Sequence, residues 1–268
     1  MNLMEELVKE QLSEDGRLLD LENKGIGKEE LEKLVGMEPI PTLEKIYLSD
    51  NGLGDEEIKT LAQCKISNKI THIYLNHNNI GESGEEGIKA LVDSDLTKNL
   101  TCIMLEANKI GSLGVKVIAE SENLGNLETL FLDSNPIGEE GVQYIAQSKK
   151  LPKLTALHLD STQMGDQGAI KLAATETLTN LTNLYLCSNK IGDEGFTAIA
   201  NSESFKSLRV LSIWRNEIRD AGGKLIAEGD IFPNLERLYM SLNLIDRPVR
   251  KTIRPGPLAK RLKTLVMD

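Results

Sequence analysis

Residues 181–200 read LTNLYLCSNKIGDEGFTAIA, and residues 127–146 read LETLFLDSNPIGEEGVQYIA. Both stretches follow the pattern L-x-x-L-x-L-x-x-N-x-I-G, and the pattern recurs along the chain in steps of 27 residues, with one step of 30. Stepping back from the first clear copy reaches Gly16, which opens a degenerate one. The first leucine, or its equivalent, falls at Leu43, Ile70, Leu100, Leu127, Leu154, Leu181, Leu208, Leu235 and Leu262.

Each copy contains two sets of apolar residues with different spacings. The L-x-L triplet alternates as a short strand does, and a second apolar set follows at spacings of three and four, which are typical of a helix. Residues 196, 199 and 200 (Phe, Ile and Ala) are one such set. A strand, a turn and a helix repeated in phase predict an α/β fold. We expect a right-handed solenoid shaped as a horseshoe, with a parallel β-sheet on the concave face and α-helices on the convex face.

The repeat register also predicts the domain organisation. Residues 1–15 fit a half-repeat that forms a capping helix, and residues 16–245 hold nine repeats. Residues 246–268 fit a C-terminal cap with a final strand, since Arg250 and Arg254 replace helix aliphatics and Pro248 interrupts the pattern. A single repeat cannot bury enough surface to fold alone, so stability must come from stacking.

One asparagine recurs at the ninth position of the repeat. Its side-chain amide is expected inside the turn, where it can satisfy backbone groups that would otherwise be buried unpaired. We therefore assign these residues a scaffold role; they are Asn51, Asn78, Asn108, Asn135, Asn189, Asn216 and Asn243.

The two quoted stretches resemble leucine-rich repeats of the ribonuclease-inhibitor type, and the resemblance covers nearly the whole chain. It implies the solenoid fold and a binding function, with the partner differing among members. Precedents in such proteins include nuclease inhibition, activation of Ran-type GTPases, nucleotide-sensing immune receptors and bacterial effectors. The sequence contains the repeat module without a Gly-rich, Lys-containing nucleotide loop, a ligase domain or an acidic tail.

Composition narrows the function further. The formal net charge of −10 argues against a general nucleic-acid binder, which needs clustered Lys and Arg. Three sparse cysteines favour a reducing compartment, so we expect a cytoplasmic protein and leave export as an effector open. The absence of a long apolar run predicts no membrane insertion.

The fifth position of the repeat lies in the strand and faces away from the core. Five of the nine Tyr and Phe residues of the chain occur in this row, which predicts an exposed aromatic ridge. The alternative is that aromatic residues merely favour strands and cover neighbouring backbone. From the second repeat onward the row reads Tyr47, Tyr74, Met104, Phe131, His158, Tyr185, Ser212, Tyr239 and Val266.

The seventh position carries consecutive carboxylates at Glu106, Asp133 and Asp160, which predict an acidic strip suited to a basic segment of a partner. Solvated surface charge is the alternative. Trp214 and Arg215 offer a further anchor. The predicted partner-binding surface is Tyr47, Tyr74, Met104, Glu106, Phe131, Asp133, His158, Asp160, Tyr185, Trp214, Arg215 and Tyr239.

An enzymatic function is not favoured. His158 lies near two carboxylates, and His72 is expected beside Cys102 on the next strand. An open, regular sheet lacks the enclosed pocket and the oriented third group that acid–base or nucleophilic chemistry needs. We therefore predict no catalytic residue, no metal site and no cofactor.

The sequence thus predicts a non-catalytic module that binds another protein on its concave face. A regulator of GTPase turnover resembling the Ran-activating proteins, or a bacterial effector acting on host proteins, is the alternative. A monomer is expected. End-to-end self-association stays open, because the first 60 residues carry a net charge of −9 and the last 24 carry +5.

Overall fold

The computed structural model describes residues 3–229 and 231–267. Met1, Asn2 and Asp268, which belong to the predicted half-repeat and C-terminal cap, lie outside the described residues. The described chain alternates strands of three residues with helices of five to ten residues. It divides into two compact units, here called unit 1 (Met1–Asn135 with Lys149–Lys153) and unit 2 (Pro136–Ser148 with Leu154–Asp268).

Unit 1 is an α/β solenoid in which each strand is followed by a helix. Short strands suffice because only the L-x-L triplet must be extended before the chain turns. Its elements are α1 (Leu3–Gln11), β1 (Leu18–Asp20), α2 (Lys28–Val35), β2 (Lys45–Tyr47), α3 (Asp55–Leu61), β3 (His72–Tyr74), α4 (Glu86–Val92), β4 (Cys102–Met104), α5 (Ser112–Glu120) and β5 (Thr129–Phe131).

Unit 2 repeats the same cycle and adds one helix before its final strand. Its elements are α6 (Gly138–Gln147), β6 (Ala156–His158), α7 (Gly165–Ala173), β7 (Asn183–Tyr185), α8 (Asp193–Asn201), β8 (Val210–Ser212), α9 (Asp220–Glu228), β9 (Arg237–Tyr239), α10 (Arg247–Ile253), α11 (Pro257–Arg261) and β10 (Thr264–Val266).

Strands pair in parallel and in chain order within each unit, β1 to β5 in unit 1 and β6 to β10 in unit 2. The register follows the repeat: Tyr47 lies opposite Tyr74, and Tyr185 lies opposite Ser212. Equivalent positions of successive repeats therefore become neighbours across the sheet, about 4.8 Å apart. Residues that share one position of the repeat therefore form a continuous row across the sheet of each unit. This arrangement positions the candidate site.

The core lies between the strands and the helices. Every strand residue at position four of unit 1 is at most 1% exposed, as are the helix aliphatics Ile58, Val115 and Ile118. Each buried aliphatic of this size stabilises the fold by about 1.5–3 kcal/mol. These contacts join each repeat to the next, as stacking requires.

The asparagines at position nine lie in the turns and connect neighbouring repeats. Asn78 donates from Nδ2 to the carbonyl oxygens of Leu75 (3.0 Å) and of Leu48 in the preceding repeat (3.1 Å). Its Oδ1 accepts from the backbone N–H groups of Asn51 (3.2 Å) and Leu53 (2.9 Å). The amide thus satisfies four backbone groups in a buried turn, and the same donation to position-six carbonyls occurs at Asn51, Asn108, Asn135, Asn189, Asn216 and Asn243.

A second ladder, of aspartates at position thirteen, was missed from the sequence. Oδ1 of Asp166 accepts from the backbone N–H groups of Gly192 (2.7 Å) and Gly195 (2.9 Å), which open the helix of the next repeat. A carboxylate at a helix N-terminus is favourable because the first N–H groups have no intrahelical partner. A Cβ at Gly195 would lie 2.5 Å from this carboxylate oxygen, which explains the glycine there. Equivalent bonds are made by Asp55, Asp193 and Asp220.

Proline is compatible with the helices of the predicted C-terminal cap. Pro248 lies in the first turn of α10, where the missing N–H has no intrahelical partner to lose. The helix therefore forms, and α11 begins at Pro257 for the same reason. At the other end, Met4 and Val8 of α1 are buried, at 1% and 3% exposure.

Candidate functional site

The strand face of each unit, as the term is used below, is the set of side chains at positions two, three, five, seven and eight of its repeats. These positions flank the buried leucines, and most of their side chains are at least partly exposed on the sheet surface. Unit 1 places six of the predicted binding residues on its strand face: Tyr47, Tyr74, Met104, Glu106, Phe131 and Asp133. Unit 2 places the other six on its own: His158, Asp160, Tyr185, Trp214, Arg215 and Tyr239.

The aromatic row of unit 1 is half-buried, whereas the sequence predicted an exposed ridge. The rings of Tyr47 and Tyr74 stack with centroids 3.9 Å apart and planes 10° apart. Neighbouring rings thus cover each other's faces, since the strand spacing is close to the stacking distance. Burial, with Tyr47 as a further cause, raises the pKa of the Tyr74 hydroxyl well above its ordinary value. The pair is a preformed aromatic platform with part of its surface open.

His72 and Cys102 lie side by side in unit 1, as the register requires. The His72 ring is near-parallel to Tyr74, with centroids 6.2 Å apart, and its Nδ1 is 2.9 Å from the Thr71 hydroxyl. Burial lowers the pKa of His72 and raises that of the Cys102 thiol to about 11. The thiol is protonated at neutral pH, and a thiolate is the form that attacks.

In unit 2, the row begins with a stacked pair of the same kind. The His158 and Tyr185 rings have centroids 4.0 Å apart and planes 14° apart. Burial lowers the pKa of His158 to about 4, so the imidazole is neutral at pH 7. Burial also raises the pKa of Tyr185. Both side chains are therefore uncharged in the folded protein and act as stacking surfaces.

Position seven has a structural function that sequence reasoning did not foresee. Oδ1 of Asp160 accepts from the backbone N–H of Cys187 at 2.6 Å, and Oδ1 of Asn76 accepts from that of Glu106 at 3.0 Å. Burial raises the pKa of Asp160, and its hydrogen bonds to Cys187 oppose that rise. The predicted acidic strip is thus partly engaged in holding the strand ends together.

Carboxylates nevertheless dominate the strand face of unit 1. Among the described residues, Glu22, Asp50 and Glu106 have no Lys or Arg within ion-pair distance, whereas Glu44 pairs with Arg17 at 2.6 Å. The face carries two basic and seven acidic side chains, a formal net charge of −5: Arg17 and Lys45 against Asp20, Glu22, Glu44, Asp50, Glu106, Glu128 and Asp133.

The opposite charge prevails at the last three strands of unit 2. Glu236 is held by Lys263 (2.7 Å) and lies 3.7 Å from Arg209, while Arg215 and Arg237 are exposed and form no ion pair with a described residue. Over β8 to β10, four basic side chains stand against one acidic side chain on the described strand face, a formal net charge of +3.

No group of three or more His, Cys, Asp or Glu side chains within the described ranges is arranged to hold a metal ion. The Cys187 thiol is 1% exposed, and burial raises its pKa to about 12. In the same part of the chain, no helix has the length and apolar character needed to span a membrane. What the strand faces do offer is stacked rings, open charges and apolar groups in fixed rows.

Comparison with known proteins agrees with this architecture. A family model described as a leucine-rich repeat matches residues 40–62, 126–146, 150–173 and 177–200, which are four of the repeats in the register above. No curated protein matches the chain. The matched repeats and the strand–turn–helix cycle of both units support a leucine-rich-repeat protein, a class whose repeats generally mediate protein–protein interaction.

Proposed function

We propose that this protein is a non-catalytic binding module of the ribonuclease-inhibitor-like subfamily, and that the strand face of unit 1 holds a basic segment of a protein partner. The observation that carries the proposal is the stacked Tyr47–Tyr74 pair on a face whose formal net charge is −5. A face of this kind combines a rigid aromatic surface with an excess of carboxylates, of which Glu22, Asp50 and Glu106 form no ion pair with a described residue.

The aromatic pair supplies the contact area. A tyrosine buries a large ring at a small cost in side-chain entropy, and stacking on its neighbour fixes the ring before binding. A Lys or Arg over the face of such a ring gains about 0.5–1 kcal/mol at an exposed site. Met104, next in the row, adds an adaptable apolar surface.

The carboxylates supply selectivity for charge. Glu106 and Asp50 lie at the carboxyl ends of the strands, flanking the aromatic row, and attract a basic segment while repelling an acidic one. Because these groups are exposed or half-exposed, their contribution falls with added salt. The strand face of unit 2 holds the remaining predicted residues, and we propose a binding function for it as well.

A quantitative pull-down from cell lysate tests the proposal, comparing wild type with Tyr47→Ser/Tyr74→Ser and with Asp50→Asn/Glu106→Gln. Leu113→Ser is the matched control, since Leu113 is 53% exposed on α5 of the same unit. We expect a captured protein with a basic segment, lost by the tyrosine variant and weakened about tenfold by the charge variant. Circular dichroism verifies that each variant is folded. Full retention by both variants would place binding elsewhere and refute the proposal.

A further inference from the structure

Large apolar side chains are exposed in one part of unit 2 that the repeat pattern does not explain. Of the six that are exposed in the described residues, four follow β8 and β9 or lie in β10: Trp214 (39%), Leu242 (60%), Leu244 (47%) and Val266 (37%). The first three belong to two successive repeats, at positions seven, eight and ten.

These positions carry different residues in the other copies. Position eight otherwise holds Asn, Asp, His, Ala, Ser or Arg, and position ten holds Gly, Asn, Lys, Pro, Gln or Glu. Position seven is aromatic in Trp214 alone. The repeat fold therefore does not require an apolar group at any of the three places.

Leu242 is unfavourable for the fold in two respects. Its φ is 57°, in the left-handed region, where a bulky side chain is strained and where Asn23, Asp50 and Ser188 occupy the same position in other repeats. It also leaves most of its side chain in water. A residue that neither packs nor suits its backbone conformation is explained by contact with something outside the chain.

The three side chains lie on adjoining turns. The N–H of Arg215 donates to the carbonyl of Ser241 at 2.9 Å, and the N–H of Leu244 donates to that of Ile218 at 2.8 Å. The turn that begins at Trp214 therefore runs directly beside the turn that carries both leucines. All three exposed side chains therefore extend from two adjoining turns at the carboxyl ends of β8 and β9, which we call the apolar patch.

The charges around this patch select the partner. Arg215 follows Trp214 directly and Arg237 lies on β9; both are exposed and lack an ion pair with a described residue. Glu236, the acidic side chain among the described residues of this strand face, is already held by Lys263. We infer that Trp214, Leu242 and Leu244 form a docking surface for an extended protein segment that combines aliphatic side chains with carboxylates. This surface is independent of the one proposed for unit 1 and prefers the opposite charge.

Trp214 is the single tryptophan of the chain, so intrinsic fluorescence reports on this patch. The probes are three short synthetic peptides, in which leucine alternates with aspartate, leucine with lysine, or serine with aspartate. We expect the leucine–aspartate peptide to shift the tryptophan emission at up to about 1 mM, with the other two binding at least about tenfold more weakly.

Variants make the test specific. Leu242→Asn/Leu244→Gln keeps the fluorophore and gives position 242 a residue that suits its backbone, and it should weaken the leucine–aspartate peptide about tenfold. Arg215→Gln should reduce the difference in affinity between the leucine–aspartate peptide and the leucine–lysine peptide. Leu113→Gln removes an exposed leucine of unit 1 and should leave the binding of all three peptides unchanged. Because the readout is the tryptophan of unit 2, failure here is distinguishable from failure of the function proposed for unit 1.

Three results would overturn the inference. One is that none of the three peptides shifts the tryptophan emission. Another is equal binding of the leucine–aspartate and leucine–lysine peptides, or equal binding by wild type and Leu242→Asn/Leu244→Gln. The third is a peptide-free emission shift that follows protein concentration and disappears in the leucine variant, because the occupant would then be a second copy of this chain.

Discussion

The strand face of unit 1 and the strand face around β8 to β10 of unit 2 share one backbone plan and differ in chemistry. The first presents stacked tyrosines among carboxylates, and the second presents tryptophan, leucine and arginine. Their formal net charges are −5 and +3 over the described positions. In this fold, the repeat determines where a side chain points, and the individual copy determines what it can bind.

The two units also differ in how their turns are held. Unit 1 has asparagine at position nine in each full repeat, whereas unit 2 begins with Thr162 at that position. The Thr162 hydroxyl lies 3.0 Å from the Leu159 carbonyl and 3.0 Å from Oδ1 of Asn189. Having one proton, it can donate to only one of them, while an asparagine amide donates twice.

The largest expected effect compares these two turns. Asn78→Ala leaves the N–H groups of Asn51 and Leu53 without their acceptor, and should lower the free energy of unfolding by about 2–4 kcal/mol. The Leu48 and Leu75 carbonyls still accept from the amides of Asn51 and Asn108. Thr162→Ala removes one donated bond and should cost about 1 kcal/mol. Urea denaturation followed by circular dichroism measures both. Equal losses would show that the ladder does not stabilise the two units differently.

A second prediction concerns pH and the stacked pair of unit 2. Burial lowers the pKa of His158 to about 4, below the value of about 6.5 expected in the unfolded chain. The unfolded chain therefore takes up this proton first as the pH falls. The contribution of neutral His158 to the free energy of unfolding is complete above about pH 6.5 and is lost towards pH 4. The loss is on the order of 1–3 kcal/mol.

The measurement is urea stability between pH 7 and pH 4 for wild type, His158→Gln and His72→Gln. The raised pKa of Asp160 acts with the opposite sign, so the difference between wild type and His158→Gln isolates the histidine. In unit 1, Glu44 and Glu128 act against the lowering of the His72 pKa. His72→Gln should therefore reduce the pH dependence of the free energy of unfolding less than His158→Gln does. The reverse order would contradict this account of the two histidines.

The smallest expected effect concerns Leu242, which we assign to binding at a cost in stability. Leu242→Asn relieves an unfavourable left-handed conformation and should raise the free energy of unfolding by about 0.5–1 kcal/mol. Ser134→Asn, at the same position in unit 1 with φ of 56°, should change it by a few tenths at most. Thermal or urea denaturation decides the point. Destabilisation by Leu242→Asn would mean that the leucine contributes to the fold after all.

Much of the fold could be predicted from the sequence because the pattern is repetitive and each period has one physical meaning. The L-x-L triplet and Asn78 each predicted an element or a turn where one is found. The helices of the C-terminal cap were not predicted, because a proline in the first helical turn and one that ends a helix look alike before the boundary is known.

The candidate site was less predictable. Stacking of Tyr47 on Tyr74 depends on ring rotation, which the repeat does not specify. The strand-holding bond of Asp160 could not be told from a solvated carboxylate. Other signals were present and overlooked, namely the recurrent aspartate at position thirteen and the apolar residues Leu242 and Leu244 at polar positions of the template. Departures from a repeat are more informative about function than the repeat itself.

The two polar ladders have a consequence for synthesis on the ribosome. Asn78 completes the turn of the repeat before it, and Asp166 accepts from the N–H groups that begin the helix of the repeat after it. The newest repeat of a growing chain is therefore always unfinished, and it becomes complete when its successor emerges. We expect the folded part of the nascent protein to trail translation by about one repeat.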